Sequence, residues 1–329
     1  MGKFAINRAM LFGTATMLAL VSTGPAAAQD QPAIQLAAVF ADSDIRADAI
    51  RQFGEAIAEH FTLEPYFAAT LFDQGTELTA IQRGNLDMAI VAPQDIASRI
   101  PEWSLLTAAY LFRDVEHLHT FFDSEAGQEM VDMAEEELGI HVIGPVYFGS
   151  RQLNLRPEIR VETPADLEGI TLRMPGGDAW QFLGRALGAN PTPMAYAEVY
   201  TGLQTGAIDA QDNPLPNDYN MRFYEVTSQI VLTSHLIGYD LLVVADDLWD
   251  GMTEEERAAV SAAAAEAIAW SDEQHLAREA ELVEFFRGEG LEVYEPDLDA
   301  FREHAQQMYL DSEFAENWPE GMIDRINAL

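Results

Sequence analysis

The stretch Gly169–Asn220 constrains the fold more than any other part of the chain. The apolar run Ile170 to Met174 predicts a short buried strand, stopped by Pro175-Gly176-Gly177. Asp178 is placed to cap a helix reaching Leu187, with Trp180, Leu183 and Leu187 on one face and Gly188 as its stop. Ala189 to Met194 predicts a second strand, and Tyr196 to Thr205 a second helix ended by Gly206. Ile208 and Ala210 predict a third strand that empties into the polar turn Gln211-Asp212-Asn213-Pro214. Strand alternating with helix in this way is the pattern of a parallel α/β sheet. Ligands of such sheets gather beyond the carboxyl ends of the strands. Arg173 and Asn213 both lie at such ends.

The chain before this stretch repeats the pattern. Strands are predicted at Ile34 to Phe40, Leu63 to Ala68 and Leu86 to Val91. An amphipathic helix from Asp44 to His60 and a shorter one from Gly75 to Gly84 separate them. The first turn, Ala38-Val39-Phe40-Ala41-Asp42, contains no glycine, so no dinucleotide cofactor is expected there. Asp114 to Leu138 is helical with a break near Ser124, and His141 to Tyr147 is a strand running straight into Gly149-Ser150-Arg151. A first crossing between domains is expected there. Thr163-Pro164-Ala165-Asp166 has the cap, proline and acid of a helix start. Strands at Gln229 to Thr233 and Tyr239 to Val244 flank His235, with a second crossing near Gly238. The Ala-rich helix Thr253 to Gly288 is long enough to brace two domains. Residues 29–148 plus 239–278 are expected to form the first domain, and 149–238 plus 279–329 the second. Two crossings and a brace predict closure as a hinge on a ligand.

Charge and cysteine usage narrow the partners. Fifty-five acids stand against eighteen bases, for a formal charge of −37. That field opposes nucleic acids and anionic membrane surfaces. An anionic ligand would need local arginines to overcome it, against a global repulsion screened beyond about 8–10 Å. No cysteine is present, which removes disulfides, thiolate metal sites and cysteine nucleophiles. A basic start at Lys3 and Arg8, an apolar core from Ala9 to Val21 and Ala26-Ala27-Ala28 before Gln29 form a secretory signal peptide, residues 1–28, with cleavage expected after about Ala28. The mature chain is therefore expected in the periplasm.

Individual side chains admit two readings. Arg173 lies in an apolar strand, where a charge without a partner is very costly. A structural ion pair and a bidentate grip on a ligand carboxylate both satisfy it. Arg151 reads as a surface arginine, Asn213 as a turn residue before proline, and Tyr196, Trp180, Phe40, Phe72 and Phe148 as core aromatics or pocket walls. His117 and His119 stand two apart, so they do not share a helix face and no metal site is expected. No nucleophile elbow or zinc-protease motif occurs, and catalytic residues and cofactors are not expected.

In this setting Leu172-Arg173-Met174-Pro175, Leu187-Gly188-Ala189 and Pro191-Thr192-Pro193-Met194-Ala195 carry a resemblance. Glu198-Val199-Tyr200, Leu203-Gln204-Thr205-Gly206, Gln211-Asp212-Asn213-Pro214-Leu215, Phe223-Tyr224-Glu225-Val226 and Thr233-Ser234-His235 extend it in the same order. The sequence resembles the periplasmic solute-binding proteins of tripartite ATP-independent (TRAP) transporters, the DctP-like group.

The resemblance implies two Rossmann-like α/β domains with a ligand cleft between them. It implies a small organic acid anion held by Arg173 and Arg151, with Asn213 completing the anion site and Tyr196 packing on the ligand. Phe40, Phe72, Gln94, Phe148, Trp180 and His235 are further candidates. The partners implied are the small and large subunits of a membrane permease, with the receptor a monomer driven to no chemistry of its own. A secreted hydrolase acting on an acidic substrate and a binding subunit of a signalling receptor are the alternatives. Relative to sialic-acid-binding members, Val91-Ala92-Pro93-Gln94-Asp95 lacks an expected glutamate and arginine, and Val39 replaces a polar residue. An apolar first-domain wall of Val39, Phe40 and Phe72 is therefore expected, suited to a smaller acid. A C4-dicarboxylate, a 2-oxo acid, a sugar acid, ectoine and a small sulfonate remain open.

Overall fold

The computed structural model describes residues 1–2 and 31–329, so nearly all of the expected signal peptide lies outside the described residues. Nine strands form one mixed sheet: β1 (Ala33–Ala37), β2 (Thr62–Tyr66), β3 (Met88–Val91), β4 (Ile140–Leu155), β5 (Thr171–Met174), β6 (Asn190–Pro193), β7 (Ala210–Pro214), β8 (Gln229–Ala245) and β9 (Glu292–Tyr294). Their order is β2-β1-β3-β8-β4-β7-β5-β6, with β9 beside β8. Parallel trios, β2-β1-β3 and β7-β5-β6, stand at the two ends. The long antiparallel strands β4 and β8 join them and run through both lobes.

The helices fill the connections: α1 (Ile45–Ala56), α2 (Glu77–Gln82), α3 (Pro93–Ala97), α4 (Val115–Asp123), α5 (Glu125–Leu138), α6 (Asp178–Ala186), α7 (Val199–Thr205) and α8 (Leu215–Asn220). After β8 come α9 (Asp246–Gly251), α10 (Glu254–Gly288), α11 (Leu298–Leu310) and α12 (Met322–Asn327). Asp44 caps α1 through its side chain, and Ser124 ends α4 and caps α5, as the sequence break indicates. No described helix is long and apolar enough to cross a membrane.

Three expectations change. The two strands predicted on either side of His235 are one strand, β8, and the strand ending at Tyr147 continues to Leu155. The pairing survives because bulges absorb the irregularities: between Leu153 and Arg151 of β4, β8 moves from Val231 to Leu236, with Ser234 at φ 44° in the extra segment. Gln211-Asp212-Asn213-Pro214 is no turn but most of β7, hydrogen-bonded to β4 and β5 and fully buried. The tail also departs from the expected division. Met322 and Ile326 of α12 pack with Trp103 and Phe121 under β3 and β8, and Arg325 pairs with Glu129 at 2.6 Å. The last helix thus returns to the first lobe.

At the crossing, Gly149 of β4 faces Gly238 of β8. A Cβ on Gly238 would stand 2.6 Å from the Gly149 carbonyl oxygen. One on Gly149, which sits at φ 117°, would stand 2.6 Å from Pro214 Cβ. Glycine lets three backbones meet here. α10 spans both lobes, with Val260 and Ala264 in one apolar cluster and Leu282 and Phe286 in another. Its Glu279 accepts from the Tyr147 hydroxyl at 2.6 Å and the Ser150 N–H at 2.7 Å, pinning the crossing to the brace.

Candidate functional site

The crossing forms the floor of a cleft lined by residues of both lobes. The second lobe presents Arg151 from within β4, and Arg173 and Asn213 from near the carboxyl ends of β5 and β7. Tyr196, Trp180 and Asn217 stand beside them. The first lobe presents Val39 and Phe40 after β1, Arg46 from α1, Gln74, Glu77 from α2 and Asp95 from α3, with Asp240 of β8.

The two central arginines are held differently. Arg151 donates from Nε to Asp212 Oδ2 at 2.6 Å and from Nη2 to Asp212 Oδ1 at 3.1 Å and its carbonyl at 2.7 Å. It lies over Trp180, 4.8 Å from the ring centre. Burial alone would raise the Asp212 carboxyl, but Arg151 and a hydrogen bond from His235 outweigh it and hold it well below the carboxylate range. Asp212 is therefore an anion at every physiological pH, and Arg151 is fixed by it.

Arg173 has no carboxylate within salt-bridge distance among the described residues. Its Nε donates to the Met194 carbonyl at 2.8 Å, and its buried Nη2 has no partner. It is 1% exposed. Burial is the main reason its guanidinium falls to about 10; Asp212 pulls the other way and Arg151 adds repulsion. It remains charged at neutral pH. A guanidinium kept charged, buried and unpaired is poised for an anion. The Asn217 side-chain oxygen is likewise buried at the cleft without a partner, while its Nδ2 donates to the Tyr196 hydroxyl at 3.1 Å. Asn213 donates to Gln211 at 2.6 Å, and Gln211 donates in turn to Asp218 at 2.8 Å.

His235 does not line the cleft. It stands behind Asp212, with Nε2 3.1 Å from Oδ2 and Nδ1 2.8 Å from the Thr233 hydroxyl. Burial lowers its pKa below the ordinary histidine value, although Asp212 opposes this. Because the carboxylate only accepts, neutral His235 carries its proton on Nε2 and orients Asp212. Phe72 is also outside the cleft and packs on the first-lobe core. Gln94 borders a narrow recess behind the floor with Phe148 and Trp180, and its Oε1 has no partner.

The first-lobe wall is the largest correction. It was expected to be apolar, yet Arg46, Gln74, Glu77, Asp95 and Asp240 reach it. Arg46 is sandwiched between Phe40 and Phe148, 4.1 and 4.2 Å from the ring centres. It donates to Asp44 at 3.0 Å and to Asp240 at 2.7 Å. Gln74 accepts from the Tyr196 N–H at 2.9 Å and so links the lobes across the cleft. None of these residues stands out in the sequence except Asp44, whose capping position two residues before Arg46 hints that the arginine turns back toward it.

Two α/β lobes on a shared pair of strands, with an unpaired arginine between them, define a cleft-type solute-binding protein. Residues 36–317 match the family described as bacterial extracellular solute-binding protein, family 7, DctP, and the chain belongs to that family. It is 30% identical over 265 residues to the sialic acid-binding periplasmic protein SiaP of Vibrio cholerae, covering 80% of this chain and 81% of that one. It is 28% identical over 310 residues to the 2,3-diketo-L-gulonate-binding periplasmic protein YiaO of Escherichia coli, 92% of each. A solved TRAP periplasmic solute binding protein from Roseobacter denitrificans, with bound 3-deoxy-D-manno-oct-2-ulosonic acid, matches with a TM-score of 0.90 and 44% identity, over 91% of this chain and 99% of that one. Another from the same organism, with bound L-galactonate, gives 0.82 and 26%, over 91% and 98%.

Proposed function

We propose that this chain is the periplasmic receptor of a TRAP-type transporter, capturing a small organic acid anion and delivering it to the membrane permease subunits. The observation that carries the reading is Arg173, buried and charged with a donor unspent. A ligand carboxylate supplies the missing acceptor. Arg151, locked by Asp212, contributes a second positive charge at a fixed distance, and Asn213 and Asn217 add polar contacts. Tyr196 and Trp180 wall the acid group from water, which strengthens each charged hydrogen bond. Residues 29–148 and 239–278 move as one lobe and 149–238 with the chain from 279 onward as the other, except that α12 travels with the first. The receptor works as a monomer after export and cleavage near Ala28, and it performs no chemistry on its cargo.

The relatives' bound acids support the class: 3-deoxy-D-manno-oct-2-ulosonic acid and L-galactonate both carry a carboxylate. A thermal-shift screen of the mature chain against dicarboxylates, 2-oxo acids, sugar acids, ectoines and sulfonates, with neutral sugars alongside, tests it. A ligand at a hundred times its Kd adds about 2.7 kcal/mol. For a chain of this size that raises the Tm by roughly 4 °C. A response to one class of acid is expected. A response to neutral sugars alone, or to no acid, would contradict the proposal.

A further inference from the structure

Among the described residues, the two walls of the cleft carry opposite excesses of charge. On the second lobe, two guanidiniums, Arg151 and Arg173, face one carboxylate, Asp212. On the first lobe, one guanidinium, Arg46, stands between two carboxylates, Asp44 and Asp240. Glu77 and Asp95 add two more acids with no cation in salt-bridge contact. Glu77 is 3% exposed, and its carboxylate accepts only from backbone, the Gly75 N–H at 2.8 Å and its own N–H. The Asp95 carboxylate accepts no side-chain hydrogen bond; a backbone hydrogen bond from Ala92 and the more distant Arg99 favour its ionisation. On the opposite lobe, Asn217 of α8 also lines the cleft, with its side-chain oxygen buried and unpartnered.

The acids' free lone pairs and the Asn217 oxygen are all acceptors, and an unfilled acceptor at this depth is costly. What fills them is a row of donors. A hydroxyl donates one hydrogen bond without bringing charge. A second carboxylate brings none and is repelled by Glu77, Asp95 and Asp240 together.

Resting on the anion reading above, we infer that Glu77, Asp95 and Asp240 set the specificity of this receptor for a monocarboxylate bearing a chain of hydroxyl groups, and against dicarboxylates. The acid group binds the Arg173 end and the hydroxyls bind the acidic wall. Rejection by like charge is as much a part of such a site as attraction. Burial raises the Glu77 carboxyl to about 7 and, with Asp240 adding, Asp95 to about 6, consistent with acids still waiting for their donors.

Titration calorimetry at pH 7.5 with 3-deoxy-D-manno-oct-2-ulosonic acid, L-galactonate, succinate and malate tests the inference. At least one of the two sugar acids is expected to bind the wild-type chain at least 100-fold more tightly than succinate or malate. Glu77→Gln and Asp95→Asn, singly and together, are expected to narrow that gap at least tenfold, weakening the sugar acid and tightening the dicarboxylate. Succinate or malate binding as tightly as the sugar acids in the wild type overturns the inference and leaves the anion receptor standing. An unchanged gap in folded variants does the same. Failure of all four acids to bind overturns this inference and counts against the anion reading as well.

Discussion

Replacing Arg173 with methionine should separate binding from stability in opposite directions. Methionine fills a similar volume without charge, so the substitution avoids the cavity that alanine would leave. In the free protein the guanidinium falls from its ordinary value to about 10, more than two pH units, mainly by burial. At about 1.4 kcal/mol per unit, the charged side chain costs the empty fold about 3 kcal/mol. The sign follows: a base whose folded pKa is lowered destabilises the fold wherever it is charged, so the cost is full at neutral pH. Methionine removes it but strands the Met194 carbonyl, which now accepts from Nε at 2.8 Å, at about 1–3 kcal/mol. The net expectation is a free protein of unchanged stability or up to about 2 kcal/mol more stable. Ligand binding should lose at least about 3 kcal/mol, or roughly 150-fold. Urea denaturation of the free protein and calorimetry with the best acid measure the two. Binding near wild type would refute the carboxylate assignment. A free variant weakened by more than about 2 kcal/mol would refute the idea that Arg173 is held unpaired for a ligand.

Other residues give further expectations. Glu77, raised from 4.5 to about 7, binds its proton more tightly in the fold, so it weakens the free protein as pH rises between those values, by about 3 kcal/mol in all. Glu77→Gln should flatten that part of the stability curve, and an identical slope in both proteins would assign it elsewhere. Asp212→Asn leaves buried Arg151 without its counter-charge and should cost about 3–5 kcal/mol in chemical denaturation; a loss below about 1 kcal/mol would contradict the pairing. Gly238→Ala drives a methyl against the Gly149 carbonyl and should cost about 1–3 kcal/mol, whereas Gly288→Ala meets nothing within 4 Å and should be neutral or slightly stabilising. Equal melting temperatures for these two variants would contradict the close crossing.

The parallel α/β pattern was legible because each element of Gly169–Asn220 carries its own period and stop. Arg173 was legible for the same reason: a lone charge in an apolar strand needs an explanation. The continuity of β4 and β8 was not, because glycine and polar residues read as breaks, and only bulged pairing across 13 registered positions keeps the strands whole. Gln211-Asp212-Asn213-Pro214 has the composition of a turn, and tertiary context overrides that propensity by giving its polar side chains buried partners. Glu77, Asp95 and Asp240 were invisible among fifty-five acids. Their significance comes from depth and from facing one another across the first lobe, which no spacing in the sequence records. Arg46 was hidden on a helix whose period marks only its apolar face.

The most direct measurement is a crystal structure of the mature chain with the acid that gives the largest thermal shift. The account predicts a carboxylate oxygen within hydrogen-bond distance of Arg173 Nη2, the donor now without a partner. It also predicts Arg151 still clamped by Asp212 and ligand hydroxyls against Glu77 and Asp95. An acid bound outside this cleft, or one turning its carboxylate toward the first lobe, would contradict it.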